Sequence, residues 1–143
     1  MLTEKDYCDY DTCVALKELW YNEKSNWWFN KVLNEEYDQM QLIHICDNPA
    51  HLNYDSWGIC PKDFVIRPTM WEAQKWLRKE KNIEVNAFYD NTDACWRFYI
   101  LEMDSPDLSG TYAYKDAYMT YEEALLEGIK QAIYILKEES NGK

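Results

Sequence analysis

Chain-breaking residues are scarce in this sequence, and basic residues are well short of the acidic ones. Four glycines and four prolines in 143 residues exclude a loop-dominated or fibrous protein. No two of those glycines lie close enough for a G-x-G-x-x-G or phosphate-loop pattern, which excludes the usual backbone cradles for phosphate. No apolar run approaches the length of a membrane span, and the opening Met1-Leu2-Thr3-Glu4-Lys5-Asp6 is polar rather than a secretory signal. The cysteines (Cys8, Cys13, Cys46, Cys60 and Cys95) are odd in number and contain no Cys-x-x-Cys pair. Reduced thiols in a cytoplasmic protein are therefore expected. Lysine and arginine total 15 against 26 acidic residues, a net charge of -11. Such a surface repels phosphate, so neither nucleic acid nor an anionic membrane is expected as a partner. Basic proteins remain open, as does mimicry of nucleic-acid charge, and solubility alone also accounts for the excess.

What the chain has in quantity is aromatic rings: 7 Trp, 12 Tyr and 4 Phe. Rings bury large areas at small entropic cost and suit both thin cores and adhesive surfaces. Hydrophobic content is 47%, ordinary for a folded protein, and the length fits one domain or two small units sharing a core. The clearest element is a helix from Thr120 to Leu136. Thr120 and Glu123 form a capping box, Met119 and Ala124 stand where a hydrophobic staple belongs, and Leu125, Gly128, Ile129, Ala132, Ile133 and Leu136 recur on one face. Thr69-Met70-Trp71-Glu72 is a second box, opening a helix whose apolar face is Met70, Ala73, Trp76 and Leu77.

Three strands lie between those helices. Ile83, Val85 and Ala87 alternate with Glu84, Asn86 and Phe88. Asp90-Asn91-Thr92-Asp93 then turns the chain, and Trp96, Phe98 and Ile100 alternate with Arg97, Tyr99 and Leu101. After a loop from Asp104 to Gly110, Tyr112 and Tyr114 alternate with Ala113 and Lys115. The expected fold class is α+β: a C-terminal α-β-β-β-α unit with an antiparallel meander and both helices on one face, plus an N-terminal helix and short β segments packed on it. Asp9 or Asp11 caps that first helix, with Cys13, Leu16, Leu19 and Trp20 on one side. Trp27-Trp28-Phe29 reads as a short strand, an edge by its brevity, and Gln41 to Cys46 as a half-buried one. The acidic stretch from Leu33 to Gln39 is ambiguous, and Asp47 to Asp63 reads as irregular. The expected divisions are 1–63, 64–138 and a frayed 139–143, together forming one body.

Few constellations suggest chemistry. His44, Cys46, His51 and Cys60 offer four zinc-competent side chains, but without the paired cysteine knuckle of a structural site. The same residues offer a thiol and an imidazole, but no nucleophile elbow and no third orienting group. Adjacent acids such as Glu122-Glu123 diverge by about 100° on a helix and cannot share a substrate. No cofactor is expected. The rings at Trp20, Tyr21, Trp27 and Trp28 are candidates for a protein-binding surface, with core packing as the competing reading. Only Lys24 and Lys31 flank them, too little positive charge for stacking on nucleic acid.

Three phrases carry a resemblance: Pro68-Thr69-Met70-Trp71-Glu72-Ala73-Gln74-Lys75-Trp76-Leu77-Arg78, the strand Trp96 to Glu102, and Tyr118 through Ile129 with its Thr120-Tyr121-Glu122-Glu123-Ala124-Leu125. With Val14 to Asn22, they are similar to a family of small uncharacterised proteins from gut anaerobic bacteria, their phages and integrated mobile elements. That family has glycine where this chain has Trp20, so the helix end is where the two differ. The resemblance implies a bacterial or phage cytoplasm and carries no activity, ligand or catalytic residue. The α-β-β-β-α order is also similar, in topology alone, to the double-stranded RNA-binding fold. That module needs lysines where this chain has Glu122 and Glu123, so its RNA binding is not expected here. The expected function is non-enzymatic: an acidic accessory protein binding a protein partner or a second copy of itself. The alternatives are a small zinc- or thiol-dependent enzyme using the His44 to Cys60 loop, and a nucleic-acid mimic.

Overall fold

The computed structural model describes residues 4–23, 27–33, 38–44, 64–104 and 111–141, with 27–33 and 38–44 described as backbone. The chain divides into two compact units. The N-terminal unit is Tyr7–Pro68, and the C-terminal unit is Thr69–Lys143 with Met1–Asp6. The boundary thus falls after Pro68 rather than after residue 63, because Phe64–Ile66 is a strand that pairs inside the N-terminal unit.

In the N-terminal unit, helix α1 (Tyr10–Glu18) starts at Asp9, whose carboxylate accepts from the Thr12 amide at 2.9 Å. Its buried face is Thr12, Cys13 and Leu16. The sheet comprises β1 (Trp27–Leu33), β2 (Asp38–His44) and β3 (Phe64–Ile66), in the antiparallel order β2-β1-β3. β1 is therefore the central strand and not an edge. It is also longer than Trp27–Phe29, because pairing runs from Trp27↔His44 to Leu33↔Asp38; of the ambiguous acidic stretch, Leu33, Asp38 and Gln39 are strand residues and 34–37 lie outside the described residues. Tertiary pairing overrides the poor β propensity of Asp38 and Gln39.

In the C-terminal unit, the expected α-β-β-β-α order is present: α2 (Met70–Lys81), β4 (Ile83–Asp90), β5 (Cys95–Glu102), β6 (Thr111–Ala113) and α3 (Tyr121–Asn141). The sheet is an antiparallel meander in the order β4-β5-β6. Thr69 and Glu72 form a reciprocal capping box, at 3.1 Å and 2.9 Å. Asn82 ends α2 in the left-handed conformation, φ 53°, which asparagine tolerates better than most residues. Both helices cover one sheet face. The buried Ile83 and Val85 of β4 and Phe98 and Ile100 of β5 meet Met70, Ala73 and Leu77 from α2 and Ala124, Leu125, Ile129, Ala132 and Ile133 from α3.

Two details of α3 differ from expectation. The hydroxyl of Thr120 accepts from the Glu123 amide at 3.1 Å, but the Glu123 carboxylate accepts from the Met119 amide, at 3.3 Å, instead of from Thr120. Met119 then points outward and is 88% exposed while Ala124 is fully buried, so no staple forms. The helix also runs to Asn141, past the expected fraying point.

The third strand is short and broken. Tyr99 pairs with Ala113, yet Trp96 pairs with Tyr118, through mutual bonds of 2.9 and 2.8 Å. Two residues of β5 therefore oppose four of the returning chain, a bulge of the kind that re-aims a strand. At the other edge, Met103 N donates to Asn82 O at 2.9 Å. By antiparallel alternation, the backbone groups of Ile83, Val85, Ala87 and Tyr89 then face away from β5. One of these is capped: Gln74 Nε2 donates to Val85 O at 2.6 Å. Gln74 thus shields part of an otherwise open edge.

Candidate interaction site

Helix α1 ends in a way that decides where Trp20 points. Tyr21 N donates to Leu16 O and Trp20 N to Lys17 O, each at 3.0 Å, which is the paired pattern of a Schellman ending. That pattern requires a left-handed residue, and Trp20 supplies it at φ 73°. A side chain with a Cβ is strained there by about 1 kcal/mol relative to glycine. The turn sends Tyr21 inward, where it is buried with Cys13, Leu16 and Ile66, and sends Trp20 outward, 86% exposed. Trp20 is therefore not on the buried side of α1, because the helix stops before it. Exposed Glu18 and Glu23 flank the ring in sequence.

The four proposed ring residues thus separate. Trp20 presents its ring to solvent, Tyr21 is core, and Trp27 and Trp28 open β1, their side chains lying outside the described residues. His44 is the last residue of β2, described as backbone, and Cys46, His51 and Cys60 lie outside the described residues. Among the described residues, no three His, Cys, Asp or Glu side chains are grouped to hold a metal ion, and no helix is long and apolar enough to cross a membrane.

Sequence reasoning did not single out the centre of the N-terminal unit. Arg67 is 5% exposed, donates through Nε to Cys8 O at 3.1 Å and lies 5.1 Å over the Tyr7 ring. Cys8 and Cys13 are buried beside it, and the Cys13 thiol reaches Cys8 O at 3.7 Å. Burial above all, then the neighbouring Cys8, pushes the Cys13 thiol far above its ordinary range, although Arg67 opposes the shift. A thiol held in that form is a poor nucleophile. The site forms by long-range pairing, the Cys8 amide donating to the Pro68 carbonyl at 3.0 Å, and Val65, Ile66 and Arg67 are buried in succession, so no periodic signal marks it in the sequence.

On the C-terminal unit, the sheet face away from the helices carries Phe88 and Tyr99, 6.1 Å apart, with Asn86 donating to the Tyr99 hydroxyl at 3.0 Å. Arg97 on that face makes three bonds: to Asp90 at 2.9 Å, to Asp93 at 2.6 Å and to the carbonyl of Lys115. The hydrogen bond from Arg97, followed by that from the Thr92 amide, holds the Asp90 carboxyl below its usual range. The guanidinium is occupied structurally and is not offered to a ligand.

At the end of β5, Glu102 points to the helix side, with Oε1 buried and without a partner among the described residues. Burial first, then the hydrogen bond and charge of Glu139 and the charge of Asp104, push its pKa up from 4.5 to about 7. A carboxyl whose folded pKa is raised is most favourable below its unfolded value, and that contribution is lost as the pH rises. Stability is therefore expected to fall between pH 4.5 and about 7. Water reaches the group, so the loss is about 1 kcal/mol rather than the full shift. Glu102→Gln should flatten that slope in urea titrations at several pH values; an unchanged slope assigns the titration to another group.

No protein-family model, curated protein or solved structure matches the chain.

Proposed function

We propose that the chain is a non-enzymatic interaction protein that binds another protein through an exposed tryptophan set among acids. Trp20 supports this reading most directly. Its ring is 86% exposed at a backbone position, φ 73°, where glycine would be more stable. Neither the strain nor the exposed ring contributes to folding, whereas tryptophan is enriched among the residues that anchor protein–protein interfaces. The excess of acid favours a partner with a basic surface, reached by electrostatic steering. The resemblance noted for residues 68–78, 96–102 and 118–129 would put this binding in a bacterial or phage cytoplasm.

Trp20→Gly tests the reading because it separates folding from binding. The variant is expected to raise stability by about 1 kcal/mol in urea unfolding, by relief of the left-handed strain. A partner trapped by cross-linking in the encoding cells, then purified and titrated, is expected to bind the variant about tenfold more weakly or worse. Unchanged affinity for that partner would overturn the proposal.

A further inference from the structure

Basic residues are few in this protein, yet four of them, Lys75, Arg78, Lys79 and Lys81, fall on α2. The helix buries Met70, Ala73, Trp76 and Leu77, so the 3.6-residue period turns Trp71, Lys75, Arg78 and Lys79, with the capping Glu72 beside them, to the opposite side. All five are exposed, Trp71 at 38%. Arg78 has a 3.3 Å partner in Glu84, while Lys75 and Lys79 make no ion pair among the described residues.

The same end of the unit holds the opposite charge in excess. Asn82, at the end of this helix, donates to Asp104 at 3.2 Å, and Glu102, two residues before Asp104, lies close enough to Glu139 of α3 to feel its charge. Glu138 is exposed beside it, and the last turn of α3 carries no basic residue. Acids at a helix C-terminus oppose its dipole, and here they also oppose one another. Acids outnumber bases at this corner, and an ammonium group from another molecule is attracted to it.

A surface that carries a basic stripe directly beside an acidic corner is complementary to itself. Two-fold pairing needs that property, because each half must meet the other half of the same patch. We propose that this end of the C-terminal unit pairs two copies of the chain, the Lys75–Lys79 stripe of each seated on the Asp104, Glu138 and Glu139 corner of the other. The inference is independent of the Trp20 proposal, since it concerns the other unit. A second copy is favoured over an unrelated acidic partner because both complementary halves are already present on one unit. Such an interface is ionic, so it weakens as salt shortens the reach of its charges.

Sedimentation of the full chain over a concentration series, at low and high salt, tests this. Wild type is expected to dimerise at low salt and dissociate at high salt. Lys75→Glu with Lys79→Glu, and separately Glu138→Lys with Glu139→Lys, are each expected to raise the dissociation constant by about tenfold or more. Mixing the two charge-reversed variants should restore pairing as a heterodimer, because the reversed positions of each then face opposite charges on the other. Circular dichroism guards against misfolding, and lysines at the end of α3 suit its dipole. A wild type that stays monomeric at low salt overturns the proposal, as does a dimer indifferent to both reversals or a mixture that fails to pair. Wild-type monomer that instead retains a DNA duplex through Lys75 and Lys79 also overturns it and assigns the stripe to a polyanion.

Discussion

Gly128→Ala is expected to destabilise the C-terminal unit by about 1–2 kcal/mol, although alanine is the better helix former. A Cβ at Gly128 would stand 2.6 Å from Cγ1 of Val85 and 3.1 Å from the Phe98 ring. Val85 is fully buried and β-branched, so its methyl cannot swing to another rotamer without displacing its neighbours. Helix propensity favours alanine by roughly 1 kcal/mol, while overpacking costs about 1–3 kcal/mol, and the second effect prevails. Gly128→Val should lose about 4 kcal/mol, with two further methyl groups in the same space. Urea unfolding of the single variants reads these losses. The decisive comparison is a pair: in a Val85→Ala background the obstruction is gone, and Gly128→Ala should become neutral or stabilising, a coupling of about 1 kcal/mol or more. Simple additivity would mean that the helix does not approach the sheet here as closely as the geometry requires.

Phe98→Ala is expected to cost about 4 kcal/mol, in the range for truncating a buried ring. Phe98 is 3% exposed and sits under Gly128. It stacks on Tyr114 at 4.6 Å and lies 6.0 Å from Tyr118. Those tyrosines belong to the segment that leads from β6 into α3, so removing the ring unseats that connection as well as opening a cavity. Phe98→Leu keeps most of the volume and should lose about 1.5 kcal/mol. A shifted urea midpoint with an unchanged slope would confirm that stability alone has moved. A loss for Phe98→Ala below about 1 kcal/mol would show that the ring is not a core element.

The C-terminal unit is legible in the sequence because its signals are local. Thr69 and Glu72 announce α2, Thr120 announces α3, and the alternation of Ile83, Val85 and Ala87 with Glu84, Asn86 and Phe88 gives the sheet its two faces. The turn is equally local, since Asp90 accepts from the Thr92 amide at 2.9 Å as its side chain predicts. The N-terminal unit is less legible. β3 is three residues long, and β1 becomes central only because a strand far along the chain pairs with it. The bulge between Ala113 and Tyr118 leaves no trace in composition. Trp20 stands out in the sequence for its ring, but its outward course depends on a left-handed turn that tryptophan itself disfavours. Lys75 and Lys79 read only as the polar side of a helix, and the acids near them come from two distant segments, β5 and α3. Sequence periodicity sees one helix at a time, so it cannot register a corner assembled from several.

Arg97 has one more consequence. Its single guanidinium holds both ends of the β4–β5 turn through Asp90 and Asp93, and the chain returning toward α3 through the Lys115 carbonyl. The short third strand, which alone would peel away readily, is thereby locked to the hairpin and opens only when the hairpin opens. The Trp96 and Tyr118 amides, bonded to each other's carbonyls, should then exchange their hydrogens with deuterated solvent at matching rates, as members of one cooperative opening.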